Sequence, residues 1–361
     1  MKADHFSGWK ITGQFAALHW KWFALILPLA PMFPTAARAG WVWQESHAPR
    51  TSFRAVQAVN RKVVWAGGTG GTCLRTVDGG DTWEILAVPG ADKLDFRGLF
   101  AFDERTVVLL SAGEASEGLT RMYRTADSGR TWQTVFQTED KGVFLDGVSF
   151  WDRTNGMAVG DQIEGKWYLL RTKDGGQSWE RVPPAALPAM LPNEGAFAAG
   201  NTSMAMEASS KVWLASGAAE RARIFISTDR AQTWEVRETP MPGGTTAGIY
   251  GLRFLDAQRG VAVGGDYKQD KTPSDNVIVT TDGGQTWQKG GRTDPPGLKE
   301  TVVALPGSVL LAVGPSGTSL SRDFGTTWQK VDEFSLHAAS CADGECWAVG
   351  GRGAIGKWKG N

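Results

Sequence analysis

Six aspartates recur in one eight-residue phrase, and a repeated carboxylate is the first feature of this chain that could do chemistry. The phrase reads Thr/Ser-x-Asp-x-Gly-x-Thr/Ser-Trp. It spans 76–83, 125–132, 172–179, 227–234, 280–287 and 321–328, with Asp78, Asp127, Asp174, Asp229, Asp282 and Asp323 in its third position. Such carboxylates serve elsewhere as general acids, bases or cation ligands. Here the arrangement argues otherwise: six equivalent groups on a radial repeat cannot converge on one substrate, whereas six equivalent folds of the chain need six equivalent locks. An Asp opening a turn accepts hydrogen bonds from N–H groups a few residues on, and the Gly that follows suits a left-handed backbone. The copy at 227–234 carries Ala231 in place of that glycine, which predicts a changed or strained turn. The closing Trp begins an outgoing strand, where its ring can fill the gap between neighbouring sheets.

The second group with chemical potential is cationic. Arg54, Arg97 and Arg253 fall on short apolar runs, and with Glu207, Asp161 and Asp266 they are expected to point toward a central channel or its rim. An arginine on such a strand is costly to bury alone, so it is either paired or offered to a ligand. A solvated channel lined by mutually paired charges is the plainer reading. Arg75, Arg124 and Arg171 precede the box Thr in three consecutive repeats, where the next three have Ile226, Val279 and Leu320. They form either a one-sided basic strip or a packing habit shared by three repeats.

The elements that hold these residues are legible from a second repeat. A small-residue strand ending in glycine occurs seven times, at 64–68, 108–113, 157–160, 212–217, 261–265, 310–314 and 346–351. Each is preceded by another short run, at 53–59, 96–102, 145–150, 203–208, 249–255, 301–305 and 336–340. Every unit thus has an inner strand, a glycine-ended strand, a strand entering the box and a strand leaving it. Box tryptophans about 40 to 55 residues apart mark a propeller or similar array. The seventh unit runs out of chain after 355–359, while 41–44 is a strand-like segment without a unit. The prediction is an all-β, seven-bladed propeller over 40–361, closed by the amino-terminal strand in the last blade, which protects otherwise open sheet edges. With 46 glycines and 17 tryptophans, composition agrees, and no long amphipathic helix is visible.

Residues 1–39 stand outside this pattern. Basic Lys2, Lys10 and Lys21 precede an apolar stretch over 22–33 and then Ala37-Arg38-Ala39, the grammar of a secretory leader cut after Ala39. An uncleaved membrane anchor is the alternative, although the apolar run is short for a full span. The expected location is therefore the periplasm or an equivalent lumen, with membrane association left open. The 38 basic and 38 acidic residues balance, and losing the leader leaves an acidic excess of three, so nucleic acid is not an expected partner. Cys341 and Cys346 flank a predicted tight turn and could oxidise across it, and Cys73 is left to pack as a small apolar residue. Without a second Cys pair, and with only His47 and His337 outside the leader, no zinc site is expected. No cofactor is expected, and the mature chain is taken as a monomer.

Box turns and inner-strand turns share one face of such a propeller. The other face carries the long insertions, at 114–120, 161–166, 183–195, 240–248, 266–276 and 291–299, and long loops on a rigid scaffold are the usual carriers of recognition. That loop face is the predicted binding face.

Two longer phrases carry a family resemblance: Gly147-Val-Ser-Phe-Trp-Asp-Arg-Thr-Asn-Gly-Met-Ala-Val-Gly160 and Gly251-Leu-Arg-Phe-Leu-Asp-Ala-Gln-Arg-Gly-Val-Ala-Val-Gly264, each leading to a box. Through them nearly the whole mature chain resembles the photosystem II stability/assembly factor family, exported propellers built on Asp-box (BNR-type) repeats. The resemblance implies a non-enzymatic accessory that docks on membrane-protein assembly intermediates through an arginine-bearing surface. Related propellers also occur where photosynthesis does not, so the client is not fixed by it. Rival readings are a sialidase-like glycoside hydrolase and a general carbohydrate- or protein-binding propeller. The hydrolase needs three converging arginines, a Tyr nucleophile with a Glu partner and an Asp acid/base. Tyr123, Tyr168, Tyr250 and Tyr267 are the only tyrosines, and the Arg-Ile-Pro phrase of that family is absent, with Phe53-Arg54 a poor substitute.

Overall fold

Glycine-ended strands such as Val64–Gly68, Val107–Ser111 and Val212–Ala215 are buried at every position. A strand covered on both faces reads as a continuous apolar run, and here the covers are the sheets on either side. One core cluster joins Trp65 of the first sheet to Phe96 and Leu109 of the second, and another joins Trp213 to Ile249 and Ile278.

The computed structural model describes residues 39–207 and 210–360. Among the described residues, twenty-eight strands form seven antiparallel four-stranded sheets, the blades. Six blades run from inner to outer strand in chain order. Their inner strands are Phe53–Ala58, Phe96–Ala101, Leu145–Phe150, Met204–Met206, Ala247–Phe254 and Thr301–Leu305. Blade seven is ordered Leu336–Ala342, Glu345–Gly350, Ile355–Lys359 and then Gly40–Gln44. That amino-terminal strand pairs antiparallel with the last one, Trp43 opposite Gly356. Trp41 packs edge-on against Trp358 at 5.1 Å and donates its indole N–H to Thr318 Oγ1 of blade six at 2.9 Å. Residues 1–38 of the predicted leader lie outside the described residues.

In five blades the glycine that ends the second strand (Gly68, Gly160, Gly264, Gly314 and Gly350) is explained by the start of the inner strand beside it. A Cβ on Gly160 would sit 2.2 Å from the Phe144 carbonyl oxygen, and one on Gly264 2.0 Å from that of Gly248. At this level the inner strands bulge: pairing shifts register between Phe53 and Ala55, Phe96 and Gly98, Leu145 and Gly147, Ile249 and Gly251, and Leu336 and Ala338.

All six Asp boxes make one hydrogen-bond network. In the first, Thr76 Oγ1 donates to Asp78 Oδ1 at 2.7 Å and accepts from Gly80 N at 2.9 Å, while the Thr82 N–H and hydroxyl donate to the same carboxylate at 3.0 and 2.6 Å. Both residues after the Asp are left-handed, Gly79 at φ 83° and Gly80 at φ 93°. Ala231 keeps the turn: its N–H bonds Ser227 Oγ at 2.9 Å with φ 63°, so the hydrogen bonds survive and the strain is local. The box tryptophans bind blades together, as where Trp83 enters the core cluster of blade seven and donates to Gln44 Oε1 at 3.2 Å.

The hydrogen bond from Thr131, helped by its N–H, holds the Asp127 carboxyl at about 2. At Asp174, Asp229 and Asp282 burial opposes the shift, yet the hydrogen bonds win and hold each carboxyl at about 2. Depressed carboxylates stabilise the fold above their unfolded value near 3.9, and that contribution is lost as pH falls toward 2. Melting temperature should therefore decline between about pH 4 and pH 2. Asp282→Asn should shallow that decline while lowering stability at neutral pH; an unchanged acid slope would contradict the lock.

Candidate functional site

The inner-strand bulges build the site. A bulged residue leaves the ladder and is re-aimed, and the bulged residues of blades one, two, three, five and seven are Arg54, Arg97, Asp146, Tyr250 and His337. Glu300, just before the inner strand of blade six, joins them. These groups meet at the loop-face end of the channel, where Arg54 feels the charges of Arg97, Glu300 and Asp95, and Asp146 that of Arg97.

Arg54 is only partly satisfied. Among the described residues its one side-chain hydrogen-bond contact is with His337, Nη1 to Nδ1 at 3.3 Å, and that Nδ1 also lies 2.8 Å from Glu300 Oε2. A ring nitrogen that donates to Glu300 has no lone pair left for Arg54. Arg54 Nε is buried with no partner. Burial lowers the Arg54 pKa, and the neighbouring Arg97 lowers it further. Arg97 gives its Nε to Asp95 Oδ2 at 2.7 Å, while Asp95 Oδ1 and Asp146 Oδ2 are buried without partners. Burial pushes the Asp146 carboxyl well above the usual range.

An aromatic step flanks this ring. Phe197 stacks on Tyr250 at 3.9 Å and meets Tyr267, which is 49% exposed, edge-on at 6.5 Å. Behind it, residues 199–203 cross the channel. Asn201 donates to the Leu99 and Val148 carbonyls at 2.9 and 3.0 Å and accepts from Val148 N at 2.9 Å, while the Thr202 carbonyl accepts from Leu252 N at 2.8 Å. This crossing ties blades two, three and five together and divides the channel into two chambers. Gly200 at φ 67° and Asn201 at φ 56° make the bend.

The crossing is anchored by a wholly buried carboxylate. Glu194 accepts from Ser216 Oγ at 2.6 Å, Leu191 N at 2.8 Å and Arg223 Nε at 2.8 Å, and pairs a second time with Arg223 Nη2.

The other predicted residues are dispersed. Arg253 lies in the opposite chamber, beyond the crossing. Glu207 follows the inner strand of blade four at the box-face end. Asp266 caps its own loop, accepting from Thr246 Oγ1 at 2.6 Å and Lys268 N at 2.8 Å, beside a loop-face cleft of about 260 Å³. Asp161 lies under the segment leading to the crossing, and burial pushes its carboxyl up to about 6. A raised carboxylate pKa means that stability falls as pH rises from about 4 through 6. Asp161→Asn should remove that slope and raise the melting temperature at pH 7; a lower one would contradict it. Arg75 and Arg124 reach the next blade, Arg75 Nη1 to the Glu104 carbonyl at 3.2 Å and Arg124 Nε to that of Gly175 at 2.9 Å. Arg75 also pairs with Glu84 at 2.8 Å, and Arg171 stands opposite Glu180 in the sheet.

Sequence reasoning placed Arg54 and Arg97 together but missed Glu300, His337, Asp146, Phe197 and the crossing. The small residues at 198–200 followed by Asn201 were the available sign of a bend. Among the described residues no group of three or more His, Cys, Asp or Glu could hold a metal ion, and no helix is long and apolar enough to cross a membrane.

A BNR/Asp-box repeat model matches residues 278–289. No curated protein matches the chain. Among solved structures, YCF48 bound to D1 peptide aligns with a TM-score of 0.63 at 14% identity, covering 89% of this chain and 95% of that one. YCF48 from Cyanidioschyzon merolae aligns at 0.64 and 16%, covering 89% and 99%. Streptogramin B lyase aligns at 0.61 and 12%, covering 90% and 98%. What is shared is the fold. It is a propeller scaffold, and Asp boxes lock its turns.

Proposed function

We propose that this chain is an exported, non-enzymatic propeller that holds a membrane-protein client by gripping an acidic, extended segment of it at the loop-face mouth of the channel. The observation that carries this reading is Arg54, a partly buried guanidinium whose Nε is unpartnered, beside a second arginine whose terminal nitrogens make no hydrogen bond among the described residues. Two guanidiniums with free donors match carboxylates in geometry and charge, and the Phe197–Tyr250–Tyr267 step offers apolar contact for neighbouring side chains. A propeller of like fold, YCF48, has been solved with a D1 peptide bound. Export rests on the leader over 1–39 and accords with the Cys341–Cys346 disulfide.

Tyr250 argues against the hydrolase reading. Burial, then the charge of Glu300, raises its phenol pKa above the ordinary value, opposite to what a nucleophile needs. Tyr123 and Tyr168 are packed in inter-blade cores.

The test is fluorescence anisotropy of an acidic peptide against its Asn/Gln counterpart. Tighter, salt-sensitive binding of the acidic form is expected. Equal binding of both forms, or turnover of a fluorogenic sialoside, would overturn the proposal.

A further inference from the structure

A cleft of about 550 Å³ lies on the loop face at the outer end of blade seven, between the chain leaving the amino-terminal strand, the loop before Leu336–Ala342 and the turn at 351–354. Two aromatic rings wall it. Trp43 is set by its pairing opposite Gly356, and the Phe334 N–H donates to Asp332 Oδ1 at 3.0 Å. The rings meet edge-on at 4.9 Å, yet Trp43 is 43% and Phe334 52% exposed. Exposed apolar side chains scattered singly need no explanation, but a packed aromatic pair lining a cleft is the anatomy of an interface core. Arg352 joins them from the turn. It is exposed, and among the described residues it has no hydrogen-bond or ion-pair partner. Its backbone is left-handed, φ 56°, two residues after the strand-ending Gly350, where blade one has Gly70 at φ 68° after Gly68. An arginine thus stands where glycine would be at ease, with its donors unspent. Glu45, also in the lining, is turned to its own loop and accepts from His47 N at 2.9 Å.

This cleft is continuous with the mouth of the channel. Ser335 lines it, and two residues on is His337, which meets Arg54. Neighbouring strands lie about 4.8 Å apart, so the outermost strand of a four-stranded blade is roughly 14 Å from the innermost, a span of about four extended residues. We propose that the cleft is a second anchor for the client segment gripped at the mouth. It takes an apolar side chain between Trp43 and Phe334, about four residues from the acidic ones, and Arg352 pairs a carboxylate beside that side chain. The inference rests on the peptide-binding reading above and adds to it a spacing and a path, outward over blade seven. Trp and Arg are the residues that most often carry interface energy, and a recess between two rings fits one side chain better than a flat lipid surface. Arg352, like Arg54 and Arg97, complements an acidic partner in charge.

The experiment uses the mature full chain and fluorescein-labelled peptides read by anisotropy. Each carries a Glu-Glu pair with a leucine four residues before or after it, and each has a counterpart with serine in place of the leucine. The expected result is that in at least one order the leucine peptide binds about tenfold more tightly than its serine counterpart. Trp43→Ser and Phe334→Ser should each erase that preference while the melting temperature stays level, since both rings are exposed. Arg352→Gly should weaken a leucine peptide with glutamate beside the leucine but not its glutamine version, and should leave the melting temperature level or higher because glycine suits a left-handed backbone. Arg54→Gln should weaken leucine and serine peptides alike. The leucine preference therefore reports the cleft and the Glu-Glu dependence reports the mouth, so either can fail alone. Equal binding of leucine and serine peptides in both orders, or a leucine preference that survives in both ring variants, would overturn the proposal. So would dimerisation of the chain, or binding to liposomes containing phosphatidylglycerol, that Trp43→Ser abolishes, because the rings would then have another occupant.

Discussion

Removing both mouth guanidiniums, Arg54→Gln with Arg97→Gln, is expected to weaken binding of an acidic client peptide by about 100-fold. Each charge-assisted hydrogen bond contributes roughly 1.5 kcal/mol or more, and two of them account for the factor. The single Arg54→Gln change should cost about tenfold on the same scale and leave the melting temperature level or slightly higher. The reason lies in the fold: Arg54 is lowered in pKa by burial and by Arg97, so its charge is a cost in the free protein. Anisotropy titrations and thermal melts on the same samples separate the two effects. Lost binding accompanied by a matching fall in melting temperature would assign Arg54 a structural part instead.

The largest stability loss is expected at Glu194. This fully buried carboxylate satisfies Arg223, Ser216 and the Leu191 N–H at once. Glu194→Ala leaves Arg223, itself only 13% exposed, without its counter-ion, at a cost of about 3–5 kcal/mol. The damage should spread along the chain, because Glu194 fixes the start of the segment that carries Phe197 past the mouth and Asn201 across the channel. Denaturant unfolding measures the first effect. Amide exchange at 199–203 measures the second, and protection there equal to that of the unaltered chain would show that the crossing does not depend on this ion pair.

Blade number and strand roles were legible because they rest on repetition. Six Thr-x-Asp-x-Gly phrases and seven glycine-ended strands each state the same local geometry several times, so single exceptions such as Ala231 do not obscure it. Pairing of Gly40–Gln44 with the final strand was legible by elimination, as each lacked a partner of its own. The site was only half legible. Arg54 and Arg97 could be assigned to inner strands, but their level along the channel depends on a one-residue bulge, and a one-residue change of register turns a side chain to the other face. Arg253 lies in the other chamber for a simpler reason: it is near the far end of its strand, opposite Val261, at the level of Gln57 opposite Trp65, and the bulged residue of its blade is Tyr250. Arg75 and Arg124 look like a basic strip when aligned by repeat, but their donors are turned to carbonyls of the adjoining blade, a contact set by blade spacing that no single strand encodes. The crossing at 199–203 was hidden for the opposite reason: it occurs once, without a repeat to announce it.

A photo-crosslinking residue placed at position 267, on the rim of the loop-face mouth, can be compared with one at position 77, in the box turn of blade one; Tyr267 and Val77 are each 49% exposed. Irradiation with the bound acidic peptide should yield crosslinked product from position 267 and none above background from position 77. Product from position 77 alone would place the client on the opposite face and contradict the mouth as its binding site.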